Sequence, residues 1–187
     1  MKVENMRVMV TGGAGFIGSH VVDKLVEKGN GVLVVDDFST GKEENIQHHA
    51  GNPQVRVIRA DIRDYPKMNE LMKDVDVVLH LAVACLRVSL SDPFTVHEVN
   101  ATGSLNVCRA AFENKVQRFV YVSSSEVYGT AITAPMSEDH PLIPTTVYGA
   151  SKLAGEVYSR AFWYTYKYHV TVVRPFNTYG PDRKSVV

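Results

Sequence analysis

The stretch Thr11-Gly-Gly-Ala-Gly-Phe-Ile-Gly18 decides the fold, because it joins an apolar run to a helical pattern. Arg7–Thr11 is the apolar run, and residues 15–28 carry apolar side chains at spacings that share one helix face. The spacing fits Gly13-x-Gly15-x-x-Gly18 and also Gly12-x-x-Gly15-x-x-Gly18. Glycines permit a tight turn and close approach of a phosphate, and a helix start offers N–H groups. We therefore predict a strand, a phosphate-binding turn and a helix.

Apolar runs and helical patterns alternate along the rest of the chain. The patterns predict strands at 32–36, 55–60, 75–80, 118–123 and 170–174, and helices at about 66–73, 93–114 and 147–168. Asp92-Pro93 is a predicted start of the helix at 93–114, and 37–52 is a predicted loop with at most one short helical turn. Buried strands alternating with helices indicate a doubly wound, Rossmann-like α/β fold, a parallel sheet with helices on both faces.

Composition excludes several functional classes. The 187 residues carry 20 Lys plus Arg and 20 Asp plus Glu, a balance that argues against a nucleic-acid partner. The sequence contains neither an apolar run of the ~20 residues that a membrane helix needs nor a signal peptide at its start. Cys85 and Cys108 form no CxxC pair, which is typical of a reducing cytoplasm. We expect one domain in a cytoplasmic protein without a membrane partner.

An acidic residue at the end of the second strand indicates the nucleotide. Asp36 lies 18 residues beyond Gly18, where a carboxylate can accept hydrogen bonds from an adenosine ribose and would repel a 2′-phosphate. The glycine turn and Asp36 together predict NAD rather than NADP. Asp61, after the third strand, is either a residue beside the adenine or a turn or cap carboxylate.

Tyr148 and Lys152 stand four residues apart and therefore share one face of the last predicted helix. A phenol titrates near ~10, and lowering its pKa by ~3 units requires ~4 kcal/mol of differential stabilisation. A nearby ammonium and the charge of oxidised nicotinamide both favour the phenolate, so Tyr148 is a candidate base. Ser123–Ser125 end the fifth strand at the carboxyl edge, where ligands bind, although a simple turn also explains them.

Taken together, these motifs give the chain a resemblance to the extended short-chain dehydrogenase/reductase family, in its NAD-dependent sugar epimerase/dehydratase branch. The matching pieces are TGGAGFIGS (11–19), VVDDFSTG (34–41), ADIRD (60–64), HLAV (80–83), VNATGS (99–104), SSSEVYG (123–129), YGASK (148–152) and RPFNTYGP (174–181). The set is specific for the family and much less specific for the substrate.

The resemblance implies roles for individual residues. The cofactor would contact Gly12, Gly15, Phe16, Ile17, Gly18, Asp36, Asp37, Phe38, Ser39, Thr40, Gly41, Asp61, Ile62, Leu81, Ala82, Val83, Asn100, Tyr148 and Lys152. Within that set Asn100 would brace the helix that supports the site. The catalytic residues would be Ser124, Tyr148, Lys152 and Glu126, with Ser124 selected because it stands four residues before the tyrosine of VYG. The substrate side would be formed by Ser124, Ser125, Arg87 and Asn177, although Arg87 is equally consistent with a surface loop.

One departure from the family pattern narrows the activity. The resembling 4,6-dehydratases carry an Asp-Glu pair after the active Thr, and here the pair is Ser125-Glu126. We therefore expect a nucleotide-sugar 4-epimerase, with a 4,6-dehydratase or UDP-glucuronate decarboxylase as the alternative of the same family. An NAD-binding module without turnover is the alternative of another class.

The resemblance also implies an assembly and a length. Relatives dimerise through the helices that here span about 93–114 and 147–168, so we expect a homodimer acting on a nucleotide sugar, a UDP-sugar in particular. We expect no metal site, because His48, His49 and His140 lack further ligands at suitable spacing. Residues 1–187 would form the NAD-binding domain, with most of the substrate domain of relatives absent from the chain.

Overall fold

The computed structural model describes residues 2–181 of the chain. Within these residues one parallel sheet has the strand order β3-β2-β1-β4-β5-β6, the order of the doubly wound nucleotide-binding fold. Its strands are β1 (Arg7–Thr11), β2 (Gly31–Asp36), β3 (Val55–Arg59), β4 (Val77–His80), β5 (Arg118–Val122) and β6 (Val170–Val173). The predicted fold class is confirmed.

Helices cover both faces of this sheet, because successive strand residues point to opposite sides. The helices are α1 (Phe16–Glu27), α2 (Tyr65–Leu71), α3 (Leu86–Ser89), α4 (Pro93–His97), α5 (Ser104–Glu113) and α6 (Val147–Tyr166). Val8 and Val10 of β1 pack with α1 on one face. Met9 packs on the other face, in a core that includes residues of α2 and α5.

The predicted long helix at 93–114 is wrong in its regularity. A π-helical turn over Glu98–Gly103 separates α4 from α5. The predicted start is confirmed, since the Asp92 carboxylate accepts a hydrogen bond from the Thr95 N–H at 3.0 Å and Pro93 is the first residue of α4. The apolar pattern continued across the π turn, so periodicity alone did not reveal it.

Other boundaries differ less. Helix α6 ends at Tyr166, followed by Lys167 in the left-handed region at φ 56°. The predicted loop at 37–52 contains two short 3₁₀ turns, Glu43–Asn45 and Gln47–His49. Helix α3, which carries Arg87, lies in a segment predicted as loop because four residues are too short to show a helical period.

Candidate functional site

The glycine turn after β1 is closed to side chains at two positions. Gly12 adopts a φ of +68°, and a β-carbon there would lie 2.7 Å from the Ala82 nitrogen. A β-carbon on Gly18 would overlap the carbonyl oxygen of Gly12. Gly15 stands at the start of α1, whose positive dipole end faces the turn. The close backbone contacts therefore require glycine at positions 12 and 18, and the start of α1 beside them offers free N–H groups that can bind a phosphate.

Asp36 is held beside this turn at the end of β2. Its carboxylate oxygens accept hydrogen bonds from the backbone N–H groups of Ala14 and Phe38, each at 2.9 Å. Burial raises the pKa of Asp36, and these two hydrogen bonds oppose that effect. A charged carboxylate at this position repels a 2′-phosphate, so the geometry favours NAD over NADP.

A cavity of about 280 Å³ collects most of the predicted cofactor residues. Its lining includes Gly12, Gly15, Asp36, Asp37, Ser39, Thr40, Gly41, Asp61, Ile62, Leu81, Ala82 and Val83. Two predicted cofactor residues, Phe16 and Ile17, instead border a different cavity along α1. A third, Phe38, packs its ring against Arg59, whose guanidinium carbon lies 4.7 Å from the ring centroid. The cavity joins the carboxyl ends of β1, β2, β3 and β4, where ligands bind in this fold.

Asp61 lines the cavity and also stabilises a turn. Its Oδ1 accepts the backbone N–H of Arg63 at 2.8 Å, and its Oδ2 accepts Nη2 of Arg63 at 2.6 Å. The Arg63 side chain is the main cause that lowers the pKa of Asp61. Sequence reasoning missed Arg63, which also borders the cavity, although the ADIRD motif contains it.

Ser124, Tyr148 and Lys152 meet near the end of β5. The Ser124 hydroxyl lies close enough to Tyr148 to lower the pKa of its phenol, and it accepts the N–H of Glu126 at 3.2 Å. Lys152 follows Tyr148 by four residues on α6, and its Nζ donates to the Val122 carbonyl at 2.7 Å. The same ammonium lies 4.5 Å from the Tyr121 ring centroid.

The electrostatics of this group differ from the sequence expectation that Lys152 depresses the pKa of Tyr148. Burial raises the pKa of Tyr148, and the hydrogen bond from Ser124 lowers it without offsetting the burial. Burial also lowers the pKa of Lys152 to about 7, although the charge of Glu156 opposes the shift. A Tyr148 base therefore needs positive charge beyond what the protein supplies.

Asn100 lies in the π turn and ties two parts of the site together. Its amide pairs with both backbone groups of Ala84, at 2.8 Å and 2.9 Å, directly after the cavity-lining residues 81–83. Its Nδ2 also donates to the Ser151 hydroxyl on α6 at 3.0 Å. These bonds connect the cavity wall to α6, and the bracing role of Asn100 stays a prediction.

A buried polar chain that sequence reasoning missed runs beneath the site. The Nδ1 of His80 lies 2.6 Å from the Thr11 hydroxyl, and its Nε2 lies 2.9 Å from the Ser104 hydroxyl. Burial lowers the pKa of His80 to about 3, so the imidazole is neutral. The Thr11 hydroxyl accepts the Ala82 N–H at 3.3 Å, which links this chain to the cavity wall. A histidine within the apolar fourth strand was the available signal.

The remaining predicted residues lie around this centre in different environments. The Ser125 N–H donates to the Pro175 carbonyl at 3.0 Å, and the Glu126 charge contributes to the raised pKa of Tyr148. Arg87 lies on α3, and Asn177 is exposed. The structure therefore places Ser125 and Glu126 close to the Ser124–Tyr148 pair.

The sequence and the fold of this chain are both similar to those of known proteins. The profile of the NAD dependent epimerase/dehydratase family matches residues 8–186. The chain belongs to this family. The cofactor of the family is NAD, and the glycine turn and the carboxylate of Asp36 fit it. The predicted family and cofactor are confirmed.

Relatives within the epimerase/dehydratase family differ in activity. A UDP-glucose 4-epimerase from Mycolicibacterium smegmatis is 38% identical over 94% of this chain and 57% of its own length. The UDP-glucuronic acid decarboxylase 2 of Arabidopsis thaliana is 36% identical over 97% and 41%. A dTDP-glucose 4,6-dehydratase from Streptomyces venezuelae, solved with NAD, superposes with a TM-score of 0.90 at 34% identity over 94% and 57%. The chain thus spans about half the length of these relatives.

None of the helices described between residues 2 and 181 is long and apolar enough to cross a membrane. The chain thus belongs to a family that uses NAD, and its relatives act on nucleotide sugars by more than one reaction.

Proposed function

We propose that this family member is an NAD-dependent nucleotide-sugar 4-epimerase that acts through a transient 4-keto sugar. The observation that carries the proposal is the approach of the Ser124 hydroxyl to the Tyr148 phenol, with Lys152 one helical turn further on, near the carboxyl edge of β5. Epimerisation through a ketone needs a base, a hydroxyl partner and a cation beside the cofactor. The chain carries one residue for each of these roles.

The protein residues have separable roles in this reaction. NAD, when bound, would supply the hydride acceptor and donor for carbon 4 of the sugar. Tyr148 would take the proton of the 4-hydroxyl, and the Ser124 hydroxyl, which lies beside Tyr148, would hold the same oxygen. Lys152, with its Nζ 2.7 Å from the Val122 carbonyl, would bind the nicotinamide ribose. Oxidised nicotinamide would supply the positive charge that favours the phenolate.

The Ser125-Glu126 pair favours epimerisation over 4,6-dehydration. Eliminating water needs an acid for the departing hydroxyl and a base for carbon 5. A serine at position 125 supplies no carboxylic acid for the first of these steps. The 4-epimerase reaction needs neither group, so Ser125 is compatible with it.

A second candidate is UDP-glucuronate decarboxylation or 4,6-dehydration, begun by the same oxidation at carbon 4. The observation in its favour is the position of Glu126, whose charge acts on Tyr148 and whose Oε2 lies 3.5 Å from the Thr146 hydroxyl. Glu126 is thus the carboxylate that would serve as the acid or base in this second candidate. The curated relatives include both activities.

Product analysis separates these candidates. The purified chain is incubated with NAD and, separately, UDP-glucose, UDP-galactose, UDP-glucuronate and dTDP-glucose, and the products are resolved by chromatography and mass spectrometry. A product of unchanged mass supports the epimerase, and loss of water or of carbon dioxide supports the second candidate. Tyr148→Phe should abolish any product while retaining NAD binding.

An NAD complex without product from any of these sugars would refute catalysis by this chain and support a cofactor-binding module. The substrate class, a UDP-sugar in particular, is therefore part of the proposal. We also propose that residues 1–187 form one cofactor-binding domain. A cytoplasmic location is a further part of the proposal, and the free thiols of Cys85 and Cys108 support it.

A further inference from the structure

Two histidines and an aspartate converge where α1 meets the 3₁₀ turn Gln47–His49. Asp23 lies on α1, and His48 and His49 lie on the 3₁₀ turn Gln47–His49. The Nε2 atoms of both imidazoles lie 2.7 Å from the same oxygen, Oδ1 of Asp23. All three potential ligand atoms lie within 4.8 Å of one another. The sequence did not indicate this cluster, because Asp23 is 25 residues from His48.

We propose that Asp23, His48 and His49 bind a divalent transition-metal ion of the zinc class. Imidazole nitrogen with a carboxylate oxygen suits zinc, cobalt, nickel or copper, whereas magnesium and calcium prefer oxygen ligands throughout. Two ligand atoms at about 2.0–2.1 Å from a tetrahedral zinc ion are separated by about 3.3 Å. Each imidazole–carboxylate contact would have to open by about 0.6 Å from 2.7 Å to admit the ion.

The exposure of the three side chains allows entry of an ion and limits its coordination. The side chain of His48 is 54% exposed and that of Asp23 is 31% exposed, whereas the His49 side chain is 9% exposed. An ion can therefore reach the site from solvent and be held against the buried imidazole of His49. Three protein ligands leave at least one coordination position for water.

The ion would connect two parts of the chain that border the cofactor site. The segment that carries both histidines also contacts the glycine turn, because Asn45 Nδ2 and the Lys42 N–H donate to the Ala14 carbonyl at 2.7 Å and 3.1 Å. Ligation by Asp23 would fix the other end of this segment to α1. Binding to the folded state alone raises the free energy of unfolding.

The test uses the full chain without a histidine tag, treated with chelator and then titrated with zinc chloride by calorimetry. We expect one equivalent to bind and the melting temperature to rise. Cobalt chloride should give the visible absorption of a tetrahedral or five-coordinate nitrogen–oxygen site. His49→Ala and Asp23→Asn should each weaken binding at least about tenfold, since even changes outside the ligand set cost that much.

The control is His97→Ala, because the exposed imidazole of His97 also lies beside a carboxylate, 4.0 Å from Glu98, but outside the cluster. It should bind zinc as the unchanged protein does. If His49→Ala does not fold, the more exposed His48→Ala replaces it, with NAD binding as the check of folding. Weak binding that does not saturate, or binding that is equal in all variants, would overturn the proposal.

Discussion

Gly18 shows how one residue can determine both the fold and the cofactor site. A β-carbon at this position would overlap the Gly12 carbonyl, and backbone cannot move aside as a flexible side chain can. We expect Gly18→Ala to lower the free energy of unfolding by about 1–3 kcal/mol, the usual cost of overpacking. NAD affinity should fall as well, because the turn must shift. Calorimetric titration with NAD and urea denaturation measure the two effects.

Gly31→Ala is the matched control for this change. A β-carbon at Gly31 would make only contacts of 4.0 Å, to Arg7 and Met6. This variant should bind NAD like the unchanged protein. Equal NAD affinity in Gly18→Ala and Gly31→Ala would contradict the requirement for glycine at position 18.

Lys152 gives a prediction about pH. Its pKa falls from 10.5 to about 7 on folding because it is buried, so between these pH values the unfolded chain binds more protons than the folded chain. The contribution of Lys152 to stability therefore rises with pH across this window. The free energy of unfolding of Lys152→Met, relative to that of the unchanged protein, should be highest at about pH 7 and below and lowest near pH 10.

Urea denaturation of both proteins at several pH values checks this expectation. The hydrogen bond from Lys152 to Val122 and the contact with the Tyr121 ring are absent from the variant, which lowers its stability. The informative quantity is thus the change with pH in the difference between the two free energies. A difference that stays constant from pH 7 to pH 10 would show that Lys152 does not lose its proton on folding.

At the residue scale, the sequence predicted identities better than ionisation. The sequence was sufficient to predict that Tyr148 and Lys152 share one helix face and that Asp36 ends the second strand. The direction of the Tyr148 pKa was not predictable, because it depends on burial and on Ser124, which only the folded chain determines. The His80 chain escaped notice for the same reason, since Ser104 is 24 residues away.

At the scale of elements, the π turn between α4 and α5 supports the site through Asn100. Replacing Asn100 by Ala leaves the Ala84 N–H and carbonyl without their partner, and each buried polar group left unpaired costs about 1–3 kcal/mol. Because the Ala84 groups are only half-buried, we expect Asn100→Ala to lower the free energy of unfolding by about 1–3 kcal/mol in total. NAD affinity should also fall, because residues 81–83 next to Ala84 line the cofactor cavity.

Asn114→Ala is a suitable comparison, because Asn114 also makes side-chain hydrogen bonds, to Asn69 at 2.6 Å and Ala110 at 2.9 Å. It lies at the far end of α5, so the substitution should lower stability without lowering NAD affinity. Titration of both variants with NAD distinguishes the two cases. An NAD affinity of Asn100→Ala equal to that of the unchanged protein would contradict the bracing role of Asn100.

Elements with long, unbroken patterns were predictable, and short or irregular ones were not. The apolar runs predicted the strands to within about two residues, the usual uncertainty of element boundaries. The π turn contains no proline and keeps apolar residues at plausible spacings, so the sequence there reads as a regular helix. Asn100 within this turn makes tertiary hydrogen bonds to Ala84 and Ser151, which the sequence pattern does not show.

At the scale of the whole molecule, exposed apolar side chains on α4 and α6 support the proposed homodimer. Phe94 on α4 is 80% exposed and Val157 on α6 is 52% exposed. Exposed apolar surface that is contiguous marks association sites, so these two helices are the candidates for the dimer contact. We expect the chain to sediment as a dimer and Val157→Glu to convert it to a monomer with unchanged NAD affinity.

Ile132→Glu controls for a general effect of added charge, because Ile132 is 66% exposed and lies outside both helices. This variant should remain dimeric. Analytical ultracentrifugation over a range of protein concentrations measures the oligomeric state of all three proteins. A monomeric unchanged chain at the highest concentration would refute the dimer.

The π turn also sets an angular relation along this surface. Each residue of an α-helix advances about 100°, so the one additional residue in a π turn rotates everything after it by about that angle. In an unbroken helix, one side of α5 would continue the side of α4 that carries Phe94. The π turn rotates that side of α5 away by about 100°. A single-residue deletion within Glu98–Gly103 would restore an unbroken helix, yet it would turn one half of that surface away from any partner.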